Sequence, residues 1–180
     1  TYVPNMMNLT WGGTMCLTEP QAGSSLSDIT TLATATEKDY YLIKGQKIFI
    51  SAGDHQFSDN FVHLVLARIK GAPSGTKGVS LFVVPKNRPD NPDKLVYNGV
   101  EVAGEYEKMG QKGYCTTHLV FGDNDDCRGW LLGEPNKGLF YMFQMMNEAR
   151  IATGRMGTAI ASAAYFSSLK YAKERPQGRK

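Results

Sequence analysis

Cysteine is scarce in this chain. Its 180 residues carry three, Cys16, Cys115 and Cys127, far apart and never as a C-x-x-C pair. That spacing excludes a disulfide framework and a zinc site, and it fits a reducing compartment. Long apolar runs are missing too: no segment approaches the roughly 18 consecutive apolar residues of a membrane span, and no basic stretch followed by an apolar one opens the chain. The sequence therefore reads as soluble and cytoplasmic, with no stable membrane insertion. Excess charge of one sign is also lacking, because 20 Lys+Arg stand against 17 Asp+Glu for a net charge of +3. Spread along the chain, that surplus makes no basic footprint for a phosphate backbone, and nucleic acid is not expected as a partner.

Signature motifs are absent as well. There is no G-x-x-x-x-G-K-[ST] and no G-x-G-x-x-G between a strand and a helix, which disfavours P-loop and Rossmann sites. No G-x-S-x-G elbow supports a Ser-His-Asp triad. His55, His63 and His118 stand apart from one another and from any metal-ligand spacing, so no metal is expected. The acidic cluster at residues 123–126 lacks the distal Glu and the spacing of a calcium loop and reads as a turn.

What is present is a globular composition, 42% hydrophobic, on a chain long enough for one domain of about 150 residues with roughly 30 to spare. Residues 1–14 are broken by Pro4, Asn5, Asn8, Gly12 and Gly13, and lead into the apolar run Met15-Cys16-Leu17. A loop rich in hydroxyls and small residues follows over 18–28, too polar for a core and able to approach a ligand closely. From 31 to 121 the pattern is β: strands are predicted near 31–36, 40–44, 47–51, 61–68, 79–85, 95–103 and 115–121, with a hairpin turn at Lys44-Gly45. Seven short strands indicate a mainly β fold, a small antiparallel barrel or sandwich.

Beyond residue 138 the period changes to about 3.6, and residues 139–174 are predicted as one long helix. Its stripe of Met142, Met145, Met146, Ile151, Met156, Ile160, Tyr165 and Leu169 is more than a small β domain can cover, so the helix is expected to belong to a helix bundle whose other members lie outside this chain. A start at Thr1 and the basic, turn-like end at residues 175–180 agree with a piece of a longer protein.

Two segments carry the functional signal. The run Met15-Cys16-Leu17-Thr18-Glu19-Pro20-Gln21-Ala22-Gly23-Ser24 and the run Gly45-Gln46-Lys47-Ile48-Phe49-Ile50-Ser51-Ala52-Gly53 resemble the two signature segments of the acyl-CoA dehydrogenase middle domain. The likeness continues through Lys108-Met109-Gly110-Gln111, Arg150 and Tyr171-Ala172-Lys173-Glu174-Arg175, in the family's order over essentially the whole chain. The stretches 129–139 and 145–150 look most like the larger bacterial members, the branch that includes methylmercaptopropionyl-CoA dehydrogenase. The resemblance implies three parts: residues 1–14 as the tail of an N-terminal helical domain, 15–135 as the middle β-barrel domain, and 136–180 as the first helix of a C-terminal helical domain.

The resemblance also implies chemistry. Such enzymes take a proton from Cα of an acyl-CoA thioester and pass a hydride from Cβ to the N5 atom of FAD, leaving a trans-2-enoyl-CoA. Backbone groups of Met15 and Leu17 and the Thr18 hydroxyl are implied along the flavin edge. Phe49 stands where many relatives have Trp on the flavin face, with Ile50 beside it and Ser51 where they often have Thr. Ser24 matches a serine near the CoA phosphates, and Asn147 and Arg150 bound a substrate-contacting stretch. An ion pair with Glu19 is an alternative role for Arg150. Arg175 aligns with an arginine that reaches the flavin pyrophosphate of a neighbouring subunit, although Gly178 stands where an aromatic usually follows.

No catalytic base is implied within the chain. The family's usual glutamate lies in the C-terminal bundle, beyond Lys180, and the alternative position just before Arg150 is Ala149. This piece alone is therefore expected to be inactive. The implied partners are an acyl-CoA, an electron-transfer flavoprotein and a second copy of the subunit. An acyl-CoA oxidase and the DNA-binding, alkylation-response branch of the family are the rival readings.

Overall fold

The computed structural model describes residues 2–91, 94–124 and 126–178, so Asp125 of the acidic cluster lies outside the described residues. The chain divides into two compact units, residues 1–142 and 143–180.

The first unit opens with a short helix, α1 (Tyr2–Met7), and continues with ten strands: β1 (Trp11–Cys16), β2 (Leu32–Ala35), β3 (Tyr41–Ser51), β4 (Asn60–Ile69), β5 (Val79–Pro85), β6 (Asn87–Asn91), β7 (Lys94–Tyr97), β8 (Val100–Glu105), β9 (Thr116–Phe121) and β10 (Arg128–Leu131). β4 and β5 are almost wholly buried, as their near-continuous apolar runs predict. They start a closed ring in which β4, β5, β10, β3 and β2 pair antiparallel in turn, and β2 returns to β4 in parallel. This is the barrel expected from the strand pattern, with a parallel seam where it closes. Cys16, Ala33, Ile43, Ile50, Val65, Phe82, Val84, Leu119 and Phe121 form its core.

Two features of this topology position the site. First, β1 and β2 share one edge of β4: β1 pairs in parallel as far as Cys16↔Val65, and β2 takes over at Leu32↔Arg68. The polar loop between them, residues 17–31, is thus pushed out of the sheet and held at both ends by the same strand. Arg68 fastens it further, donating from its guanidinium to the carbonyls of Ser27 (2.9 Å) and Ile29 (3.4 Å).

Second, β3 changes partners midway. It pairs with β2 up to Lys44 and with β9 from Gly45 onward. The hairpin predicted at Lys44-Gly45 is therefore not there, and Tyr41–Ser51 is one strand. Gly45 interrupts the β pattern for another reason: a Cβ at this position would lie 2.6 Å from Thr31 Oγ1 and 2.8 Å from Thr31 Cα, so only glycine permits the close approach of the two backbones.

The predicted 95–103 strand is split by Asn98 and Gly99 into β7 and β8, since the Asn98 amide turns inward to bond the carbonyls of Pro85 and Arg128. Strands β1, β6 and β10 go beyond the pattern. β1 contains Gly12, whose missing Cβ makes room for the Phe61 ring.

A long helix, α2 (Gly138–Glu174), is the last element and matches its predicted span to one residue. Its first turn belongs to the first unit, where Met142 is buried and Gly138 lies against the Ser80 and Leu81 backbone. In the second unit Ile151, Met156, Ile160, Tyr165, Phe166 and Tyr171 are exposed.

Candidate functional site

Phe49 is the most unusual residue of the barrel. Between Lys47 and Ile50 the β3–β9 register slips: Lys47 pairs with Leu119 and Ile50 with Thr117, so three steps on β3 oppose two on β9. The extra residue is accommodated by Phe49 at φ +58°, in the left-handed region that non-glycine residues avoid. Strict alternation would send Phe49 inward with Ile43 and Lys47. The bulge resets the phase, so Ile48 and Ile50 are buried while the Phe49 ring stands 57% exposed. It leans on Tyr106, with ring centroids 4.5 Å apart. Ser51 follows, exposed, and Ala52 is again left-handed at φ +51°.

The loop after β1 is fastened next to this bulge. The Ile48 amide donates to the Thr18 carbonyl (2.9 Å), which sets residue 18 beside residue 48. Lys47 Nζ donates to the Leu17 carbonyl (3.0 Å) and to Glu19 Oε1 (2.8 Å). Both members of this ion pair are buried, with side chains 0% and 1% exposed. Glu19 also gathers the far end of the loop: Oε1 accepts from the amide and hydroxyl of Thr31 (3.0 and 2.6 Å), and Oε2 from those of Thr30 (2.7 and 2.9 Å) and from Gln21 Nε2 (2.7 Å). Burial pushes the Glu19 carboxyl up, but the Lys47 ammonium and this set of donors outweigh it and hold the group down at about 2. Burial lowers the Lys47 pKa, and Glu19 opposes the shift.

The structure thus brings Met15, Leu17, Thr18, Phe49, Ile50 and Ser51 into one neighbourhood. Met15 is exposed at the end of β1, and Leu17 and Thr18 are half-buried. The Leu17 carbonyl is occupied by Lys47, so its N–H is what it has to offer a ligand. Ile50 buries its side chain in the core and can contribute only backbone. Ser24 is exposed beyond a tight turn made by mutual Glu19–Ala22 backbone bonds.

Asn147, Arg150 and Arg175 belong to the second unit, and all three are exposed. There Arg150 donates to Asn147 Oδ1 (3.0 Å), with its guanidinium carbon 5.1 Å from the Phe143 ring centroid. The Glu19 carboxylate offered as an alternative partner for Arg150 is taken by Lys47 and the loop donors. Sequence reasoning missed Lys47 and Tyr106. A signal for Lys47 exists: period two from Ile43 and Gly45 makes it inward-facing, and an inward lysine in a small barrel requires a buried acid.

A bulged barrel strand that shows an aromatic, beside a hydroxyl-bearing loop fastened to the same strand, makes this edge of the barrel the candidate site. Comparison with known proteins identifies the lineage. The family model described as acyl-CoA dehydrogenase, middle domain, matches residues 14–124. A 3-methylmercaptopropionyl-CoA dehydrogenase of Ruegeria pomeroyi is 44% identical over 99% of this chain and 30% of its own length. A butyryl-CoA dehydrogenase of Syntrophomonas wolfei is 41% identical over the same shares. Among solved structures, an acyl-CoA dehydrogenase complexed with FAD from Bacillus anthracis superposes with a TM-score of 0.69 at 30% identity, covering 93% of this chain and 26% of that one. The chain belongs to the acyl-CoA dehydrogenase family, and it spans about 30% of the length of the two curated relatives named above. Among the described residues, no helix is long and apolar enough to cross a membrane.

Proposed function

We propose that this chain is the flavin-facing portion of an FAD-dependent acyl-CoA dehydrogenase, which converts an acyl-CoA thioester to the trans-2-enoyl-CoA. Residues 1–14 are then the tail of a preceding helical domain, 15–135 the middle barrel, and 136–180 the first helix of a following helical domain. The observation that carries this reading is Phe49, a half-exposed aromatic held outward by a strained bulge, with Thr18 fastened to the adjacent Ile48 and Ser51 two residues on.

These residues fit a planar aromatic group with a polar edge. The Phe49 ring offers an apolar face, and the Leu17 N–H and the two hydroxyls offer hydrogen bonds beside it. FAD, when bound, supplies the hydride acceptor. The chain's own part is to orient that group, exclude water from one face, and place donors where negative charge develops. Ser24, small and exposed, is assigned to the CoA phosphates, and Asn147 and Arg150 to the substrate. Glu19 cannot serve as the base, since its buried carboxylate is saturated with donors and, with its pKa held down at about 2, accepts a proton poorly. Ala149 has no proton acceptor, and the base is assigned to a part of the full-length protein beyond this chain.

Electrons leave to an electron-transfer flavoprotein in this reading, and Arg175 reaches the flavin pyrophosphate of a second subunit. The three free cysteines suit a cytoplasmic setting. The test is the visible spectrum of the full-length protein, recorded anaerobically before and after a panel of acyl-CoAs. Bleaching of a flavin band by one class of thioester supports the assignment and names the substrate class. A flavin that no acyl-CoA reduces refutes it, and fast reoxidation by air with peroxide release replaces the dehydrogenase with an oxidase.

A further inference from the structure

The buried pair of Lys47 and Glu19 sits at the junction of the two segments that form the candidate site, yet neither side chain is open to the surface. Stability alone does not account for it. A buried ion pair is often no better than an apolar pair of equal volume, whereas it is well suited to fixing one register against its neighbours.

The geometry here is that of a register device. Lys47 is the last residue of β3 in regular pairing before the bulge that turns Phe49 outward. From this position its ammonium holds the start of the loop at the Leu17 carbonyl and at Glu19, and Glu19 in turn holds the end of the loop at the amides and hydroxyls of Thr30 and Thr31. Apart from these bonds, the main-chain tie between residues 17–19 and β3 is, among the described residues, the Ile48–Thr18 bond. Loss of the pair would leave the start of the loop tied to β3 by that one bond, while its far end stays fixed where β2 pairs with β3 and where Arg68 holds it to β4.

We propose that Lys47 and Glu19 are positioning residues for the cofactor: their ion pair sets residues 15–18 against residues 49–51, and so fixes the spacing between the Thr18 edge and the Phe49 face. The proposal rests on the flavin reading above, and the experiment separates the two. In the full-length protein, Glu19→Gln/Lys47→Met removes both charges together and leaves no orphaned ion. Leu81→Ala, a fully buried residue of β5, serves as the comparison for loss of stability alone.

FAD affinity, the position of the flavin absorbance bands and the flavin reduction potential are measured on each. The double variant is expected to bind FAD on the order of tenfold more weakly or worse, with displaced bands and potential. Leu81→Ala keeps all three even where its melting temperature falls as far. A double variant with wild-type affinity, bands and potential overturns the proposal. Should the double variant not fold, amide exchange of the unmodified protein decides. Protection of residues 17–19 and 47–51 rising as one unit on FAD addition supports the coupling, and separate responses overturn it. A wild-type protein that takes up no FAD refutes the flavin reading itself, an outcome distinct from any failure confined to the variants.

Discussion

Phe49 provides a test in which strain and ring can be separated. Replacing it by alanine removes the ring and keeps a Cβ at φ +58°, while replacing it by glycine removes both. Left-handed backbone costs a non-glycine residue about 1–2 kcal/mol, a penalty that glycine escapes. In an ordinary strand position glycine is worse than alanine by roughly 0.5–1 kcal/mol. Here the order should invert, with Phe49→Gly the more stable of the two by about 1 kcal/mol.

Both variants lose the contact with Tyr106 equally, so that term cancels in the comparison. The ligand term follows from exposure. With 57% of the side chain open, and a phenylalanine of about 200 Å², roughly 115 Å² awaits a partner. Covering half to all of it at about 25 cal/mol/Å² contributes about 1.5–3 kcal/mol, or roughly 10- to 100-fold in the FAD dissociation constant. Urea unfolding of the flavin-free full-length variants measures the first quantity, and titration with FAD the second. Alanine proving more stable than glycine would refute the strained turn. Unchanged FAD affinity in both would refute the stacking role.

Two further outcomes concern the barrel. His63 is fully buried with Nδ1 2.8 Å from Thr14 Oγ1, and burial holds its imidazole down at about 4, with Asp54 raising and Lys86 lowering it to a smaller extent. The unfolded chain takes up this proton near pH 6.5 and the folded chain near 4, so the unfolded state binds more protons between those values. The stability this neutral histidine contributes is complete above pH 6.5 and falls by about 3 kcal/mol as the pH drops to 4. His63→Gln keeps a polar partner for Thr14 and should remove that slope from urea midpoints recorded between pH 7 and 4. Gly138→Ala drives a Cβ into the Ser80 and Leu81 backbone, and should lower stability by about 1–3 kcal/mol in the same assay.

The legible parts of this molecule are those with a long, uniform period. α2 declares itself over about ten turns of 3.6-residue spacing, and β4 and β5 through near-continuous apolar runs, interrupted by His63 and Ser80, because burial on both faces leaves few polar positions to confuse the pattern. The pattern predicts two strands in place of β3 because glycine ordinarily marks a turn, whereas Gly45 marks a close approach to Thr31, a residue distant in sequence. β1, β6 and β10 are short and rich in glycine, proline or polar residues, and tertiary pairing, not propensity, makes them strands. For the site, Thr18, Phe49 and Ser51 were legible only through family resemblance. Nothing in local sequence announces that the phase of β3 slips at residue 48, and hence that Phe49 faces outward.

That slip links the anomalies of the barrel. Within the six residues 47–52, at the end of β3 and one residue past it, stand a buried lysine, a left-handed phenylalanine and a left-handed alanine, each of which a fold selected for stability alone would replace by an apolar residue or a glycine. They are tolerated because the ring of strands is closed around them: β2, β9 and β10 pair with β3 along its length, and the loop from residue 17 to 31 is fastened to it from outside. The ring supplies the rigidity, the bulge uses it to hold an aromatic outward, and the ion pair keeps the hydroxyl edge in step with that aromatic. Locally unfavourable choices that converge on one edge are the physical signature of a site, and in this barrel they converge on the proposed flavin edge at Thr18, Phe49 and Ser51.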